Sequence, residues 1–522
     1  MIQHCRRIPT LGALFASFAL AAAAERITNP VLPADYPDPS VIRVGEDYWA
    51  TATTSEWAPL FPILHSRDLV NWEHVSNIFE TPPEWSVGNY WAPELWHHRD
   101  KYYAYYVGRK RNGPLSLAVA TADKPAGPWK DHGPMIGQPA GSIDAVPVLD
   151  ENGEPFLIWK EDGNSRKQPT LLWIQKLSQD CTRLVGEMKE LMRNDAPWEG
   201  HVIEGPNVIR KNGWFYLFYA GNACCGRGCN YAVGVARAKK LLGPWEKNPA
   251  NPVMTANDAW KCPGHGTLVR DKDGRDFFMY HAYSTSTFTY VGRQGLLDEV
   301  TWNGEWPTIN SGKGPSIHPA VPKTATSQKA VAEFLDDFST QPLRPEWQWP
   351  QNNQPRATID ADKGWLVLAP SSSERAKDVA GAALAVKTTS GNYTATTCLD
   401  VTSLNPQARA GLSAYGDREN ALGVAVGNST ATVWLRQRNK DTTISTLELP
   451  TAPRIYLRMT ALDGHRFRFS LSRDEKVWQS VGEMDVEGQY LPPWDRGIRV
   501  ALTVGGAEDA TARFDWLRVQ PN

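Results

Sequence analysis

The chain is 522 residues long, more than one ordinary hydrophobic core accommodates, so about two or three domains are expected. Hydrophobic residues make up 41% and charged residues 21%, which excludes a chain dominated by disorder. Lys+Arg number 55 against Asp+Glu 57, a net charge of -2. With no basic surplus to neutralise phosphates, nucleic acid is excluded as a partner.

Residues 1–24 read as an export signal. Arg6 and Arg7 form a positive start, Leu11 to Ala21 is apolar, and Ala22 and Ala24 give an Ala-x-Ala end before Glu25. The apolar run is short for a membrane span, and no later stretch reads as one. The expectation is a secreted or periplasmic protein with no membrane partner. Export makes disulfides available to Cys181, Cys224, Cys225, Cys229, Cys262 and Cys398. The cluster from Cys224 to Cys229 lacks the paired spacing and nearby His of a zinc site. A loop staple involving Cys262 is the better reading, with the pairing left open.

From residue 25 to 319, aromatic strand patterns recur after turn residues. They begin at Gly45, Arg99, Asn152, Asn212 and Asp273, and several units close near a tryptophan: Trp72, Trp129, Trp245 and Trp306. A four-stranded sheet cannot bury both faces alone. Units packed around an axis can, so the repeat predicts an all-β five-bladed β-propeller with a central funnel. Residues 320–333 are small, polar and Pro-containing, as a linker is. Alternating strands then resume over 334–522, which predicts a β-sandwich of jelly-roll type.

Three motifs each place one carboxylate at the start of a blade: Tyr36-Pro-Asp38-Pro, Ser142-Ile-Asp144-Ala and Ile203-Glu204-Gly-Pro. Matched positions in different blades converge on the axis, so the three acids should face one another. Carboxylates crowded in an apolar wall cannot all ionise easily, and at least one pKa should rise. A protonated acid beside an ionised one suits glycosidic cleavage: one protonates the leaving oxygen, the other activates water. Asp35 and Glu94 are the nearest decoys.

These motifs, in this order, resemble glycoside hydrolase family 43, a group of inverting β-xylosidases, α-L-arabinofuranosidases, arabinanases and galactanases. Tyr90-Trp-Ala-Pro-Glu-Leu, Pro263-Gly-His-Gly-Thr and Gly292-Arg-Gln-Gly-Leu add to the likeness. The part after the linker resembles the concanavalin-like sandwich of that family's β-xylosidases. The resemblance implies Asp38 as general base, Glu204 as general acid and Asp144 as the residue that raises and orients the acid. It implies Arg293 facing sugar hydroxyls, Trp91 as a wall of the sugar pocket, and His265 on the axis near substrate and a water-held structural calcium. No cofactor is required for the reaction. Trp57 and Trp85 read as core, as do Trp349, Trp365 and Trp494. Two departures stand out: the Cys224–Cys229 segment, which a subset of the family shares, and Asn207 where many relatives carry His.

The function expected is an inverting hydrolase cleaving terminal pentosyl linkages of xylan- or arabinoxylan-type oligosaccharides or polysaccharides. A β-xyloside is the favoured substrate, α-L-arabinofuranoside second and galactan third. A non-catalytic carbohydrate-binding propeller would need one of the three acids to be missing or misplaced.

Overall fold

The computed structural model describes residues 27–331 and 333–522; the segment read as an export signal lies outside the described residues. The first part consists of four-stranded antiparallel sheets following one another along the chain. Their innermost strands are Ser40–Val44, Trp91–His98, Ser142–Leu149, Ile203–Lys211 and Trp260–Arg270. Each packs beside the next, and the last returns to the first, so the inner strands form a closed ring.

The period-2 pattern of the aromatic strands explains the ring. In Lys101–Arg109, Tyr103, Tyr105 and Val107 pack toward Leu157 and Trp159 of the following sheet, while Ala104 and Tyr106 pack toward Phe61 and Ile63 of the preceding one. The strand Trp214–Gly221 repeats this, with Phe215, Leu217 and Tyr219 on one face and Tyr216 and Phe218 on the other. Each sheet is thus hydrophobic on both faces and depends on two neighbours. The ring closes where Tyr48 and Ala50 meet Phe277 and Met279. The Leu32 amide and carbonyl, paired with Gly295 at 3.0 Å each way, fasten the start of the described chain to the last sheet.

The stretch read as a linker carries no strand over 320–331 but is pinned down. Gln328 accepts from the Thr28 amide at 2.7 Å, and the Asn71 amide group donates to the Ser327 carbonyl at 2.8 Å.

Beyond it, a six-stranded sheet faces a nine-stranded one. Leu384, Leu412 and Val424 of the first interleave with Leu457, Phe469, Phe514 and Leu517 of the second in one core. The two parts are joined by hydrogen bonds as well as packing. Trp349–Pro350 pairs with Trp57–Ala58. Asp35, buried at the seam, accepts from the Arg293 amide, the Gly497 amide and the Arg499 guanidinium at 3.0–3.1 Å. The decoy acid is therefore a structural joint between the two parts.

Candidate active site

The mouth of the ring lies where the inner strands begin. There the chain turns left-handed at a matched position in each sheet: at Asp38 (φ 52°), Ala92 (φ 41°), Asp144 (φ 58°), Gly205 (φ 55°) and His265 (φ 40°). Around the last four the strand pairing also slips, as β-bulges do. Left-handed backbone is unfavourable for Asp, Ala and His, and its recurrence marks one equivalent position in all sheets. Asp38, Asp144 and His265 occupy that position. Glu204 does not: it stands one residue earlier, before Gly205. The expectation of three matched acids is corrected here. One residue along a strand reverses the side-chain direction, so Glu204 enters different surroundings from the two aspartates.

Asp38 accepts from Thr53 Oγ1 at 2.7 Å and from Arg293 Nη1 at 3.0 Å, and its own amide donates to His281 Nδ1 at 3.1 Å. Burial works against its charge, but Arg293 and His265 hold its carboxyl well below the usual carboxylate range. Asp38 is thus a fixed anion. Burial pushes His281 down to about 4, with Arg293 adding to the effect, so His281 is neutral and accepts the Asp38 amide proton.

Asp144 accepts from the Gly205 amide at 2.9 Å. Burial pushes it up to about 6; the charges of Glu204 and Asp38 add to the rise, while His265 and Lys160 oppose it. His265 Nδ1 lies 3.5 Å from Asp38 Oδ1 and 3.8 Å from Asp144 Oδ2. Burial opposes its charge too, yet Asp144, Asp38, Glu204 and Glu94 together raise it above the ordinary histidine value.

Glu204 receives Lys160 Nζ at 2.6 Å and Tyr231 Oη at 2.9 Å. Burial alone would raise it, but the lysine and the phenol outweigh that and lower it. Asp144 and Glu204 thus share one set of charges, with Asp144 pushed up and Glu204 pulled down by its lysine. Tyr231 stacks on His281 with ring centroids 5.8 Å apart. This pair links the Glu204 side of the pit to the Asp38 side.

Two residues below the left-handed position, a second tier crosses the axis: Ser40, Glu94, Val146, Asn207 and Thr267. Glu94 faces Thr267 Oγ1 at 3.4 Å, and burial pushes its carboxyl up to about 7. It stands below the catalytic level. Asn207 accepts from the Leu268 amide at 3.1 Å, tying neighbouring inner strands together. Among the described residues, no group of three or more His, Cys, Asp or Glu side chains is gathered to hold a metal ion.

Arg293 is 4% exposed, with Nη1 on Asp38 and Nη2 on the Asp495 carbonyl at 3.0 Å. Its guanidinium faces the acid and the sandwich loop rather than open space. Trp91 is half-buried at the mouth and meets Trp494 edge-on, ring centroids 6.0 Å apart. Trp494 is 59% exposed, not a core residue as its sequence suggested, because it rides on the sandwich loop that reaches the mouth. Trp57 is buried, as expected.

On the Glu204 side, the loop after Gly221 carries two disulfides, Cys224–Cys225 and Cys229–Cys262. The second is the staple involving Cys262, and it ties the loop to the strand bearing His265. Arg227 of this loop donates to the Gln489 carbonyl.

Sequence reasoning missed Lys160, Tyr231, His281 and Thr53. Lys160 and His281 did leave a signal: each is an isolated ionisable residue inside an apolar strand, Phe-Leu-Ile-Trp-Lys160 and Phe-Met-Tyr-His281. Such a residue needs a buried partner.

The family description "Glycosyl hydrolases family 43" matches residues 27–307. "Beta xylosidase C-terminal Concanavalin A-like domain" matches residues 335–520. The chain is 29% identical to xylosidase/arabinosidase 43B of Humicola insolens over 77% of its own length and 76% of the relative's. It is 24% identical to the non-reducing end alpha-L-arabinofuranosidase BoGH43B of Bacteroides ovatus over 99% and 98%. The fold is similar to that of the GH43 BlXynB protein from Bacillus licheniformis, with a TM-score of 0.82 at 24% identity, covering 95% of this chain and all of that one. Family membership over most of the first part joins the convergence of Asp38, Asp144 and Glu204 in one pit: the chain belongs to glycosyl hydrolase family 43 and is a glycoside hydrolase.

Proposed function

We propose that this protein is an inverting exo-glycosidase that removes terminal pentosyl residues, with β-xylosides as the first substrate class, and that its ring of sheets is a five-bladed β-propeller. The carrying observation is that two carboxylates, each with its own cation, Asp38 with Arg293 and Glu204 with Lys160, meet in one pit. Asp38, held as an anion by Arg293, is suited to take a proton from water. Glu204, hydrogen-bonded by Lys160 and Tyr231 beside the Tyr231–His281 stack, is read as the group that protonates the leaving oxygen. Asp144 and His265 lie between them and fix the field. Inversion needs the base and acid about 6.5–9.5 Å apart, with water between.

The appended domain supports the xyloside reading, since it matches the β-xylosidase C-terminal domain. The sandwich loop with Trp494 reaches from Trp91 to the Cys224–Cys229 loop, where the Trp494 carbonyl would stand 3.1 Å from a Cβ placed on Gly226. A loop that bridges the mouth at these two points favours a chain end over a threaded polysaccharide. α-L-Arabinofuranosides are the second reading, supported by the relative from Bacteroides ovatus. We read xylan- or arabinoxylan-derived chains as the partner, and export as the route to them.

The donor set on the axis does not fit a directly held calcium. Glu94, Thr267 and His265 could hold only a hydrated ion, and no step of the reaction is routed through one.

Assay of nitrophenyl pentosides and of xylo- and arabino-oligosaccharides tests the reading. Release of xylose from non-reducing ends is expected. No release of any pentose would overturn it.

A further inference from the structure

Among the described residues, Lys160 is the one strongly basic side chain bonded to Glu204, and nothing in the expected mechanism uses it. It rises from the strand Pro155–Glu161, second in its sheet, and is 1% exposed. Its Nζ donates to Glu204 Oε2 at 2.6 Å and to Asp162 Oδ1 at 3.0 Å. Asp144 also faces it. Glu204 in turn faces Lys160, Tyr231, His265 and Asp144. A buried ammonium at this distance stabilises the carboxylate over the carboxylic acid. That is opposite to what a resting general acid needs, and it is what the acid needs once the proton has gone.

We propose that Lys160 is a positioning residue for the general acid, stabilising the carboxylate that Glu204 becomes as it gives its proton to the leaving oxygen. This rests on the glycosidase reading above. The proton balance is simple. Glu204 starts protonated, and its O–H bond breaks as the leaving oxygen takes that proton and the glycosidic carbon–oxygen bond breaks. Water forms the new bond to the anomeric carbon from the opposite face, and its proton passes to Asp38. Lys160 keeps all its protons throughout and supplies only field and orientation. Charge develops on Glu204 in the transition state, and a preformed cation aimed at developing charge acts without reorganisation.

Two consequences follow from the chemistry. A strong acid helps most when the leaving group is poor, so Lys160 should matter for a sugar leaving group and little for an activated phenol. The same cation makes Glu204 lose its proton at lower pH, so Lys160 should place the basic limb of the pH profile on the acid side. Asp162 shares the ammonium and keeps it from leaning wholly on Glu204.

The test compares Lys160→Met and Lys160→Arg with the wild-type protein on xylobiose and on 2,4-dinitrophenyl β-xyloside across pH. For Lys160→Met the expected result is a 10- to 100-fold loss of the plateau kcat/KM on xylobiose, about the range one oriented charge supplies. Its basic limb should move at least about one unit to higher pH, while the dinitrophenyl substrate stays within about threefold. Lys160→Arg should keep the wild-type profile shape. Equal losses on both substrates would show a merely structural lysine and overturn the proposal. So would an unmoved basic limb, or an Lys160→Arg profile like that of Lys160→Met. If Lys160→Met is not recovered folded, Lys160→Gln takes its place under the same criteria. A wild-type protein inactive on both substrates would instead overturn the glycosidase reading.

Discussion

Arg293 reaches Asp38 with one guanidinium nitrogen and the Asp495 carbonyl with the other, each at 3.0 Å. The residue that keeps the Asp38 carboxylate ionised is therefore seated by the second domain. Asp35 repeats the connection, since it joins the Arg293 amide to Gly497 and Arg499. The sandwich is part of the active-site frame as well as an appended module.

Arg293→Gln removes the cation and leaves Asp38 buried with weaker support. A fall in kcat of about 100-fold or more is expected, from mispositioning and loss of the anion together. The acid limb of kcat/KM should move to higher pH, because the Asp38 pKa rises when its main cation goes. Steady-state kinetics from pH 3 to 8 on one nitrophenyl pentoside reads both.

Glu204→Gln keeps the size of the side chain and removes the proton. Turnover of xylobiose should fall by about 100- to 10,000-fold. A dinitrophenyl pentoside, which departs without protonation, should be much less affected. The ratio of the two losses in the same preparation is the measurement.

Asp144 exchanges stability for function. Its folded value of about 6 lies above the unfolded value of about 4. The folded state therefore holds the extra proton between those two pH values. Its favourable contribution is complete below the unfolded value and is lost as pH rises through the folded one. Above that, a buried charge is carried at a cost. Asp144→Asn, whose amide oxygen can still accept from Gly205, should raise stability at pH 7.5 by on the order of 1–3 kcal/mol. It should leave stability nearly unchanged at pH 4 and abolish most activity. Thermal melts at the two pH values decide it.

The Cys229–Cys262 disulfide closes a loop of sequence separation 33. Cys229→Ser should cost about 2–4 kcal/mol. It should also slow turnover, because Cys262 lies on the strand that carries His265. A Tm comparison with and without reductant, alongside kcat, checks it.

Much of this was legible in residues alone. The doubled aromatic strands, such as Tyr102-Tyr103-Ala104-Tyr105-Tyr106, need two apolar neighbours, and that requirement implies a ring. Asp38, Asp144 and Glu204 stood out because each acid is set among apolar residues near a turn. The one-residue offset of Glu204 was not legible, since backbone handedness, not residue type, sets the matched position. Glu204-Gly205-Pro206 shows it only once Gly205 is seen in the left-handed region. Arg293 was found, but its target was not: contacts to Asp495 depend on how the second domain docks. Trp494 was misread for the same reason. The partner of Lys160 was invisible because it lies in the next sheet.

The stereochemistry of the first product tests the central claim most directly. Proton NMR of a freshly started reaction on a β-xyloside, read before mutarotation, should show α-xylose as the initial product, as a single displacement by water activated at Asp38 requires. β-Xylose appearing first would contradict the division of roles between Asp38 and Glu204.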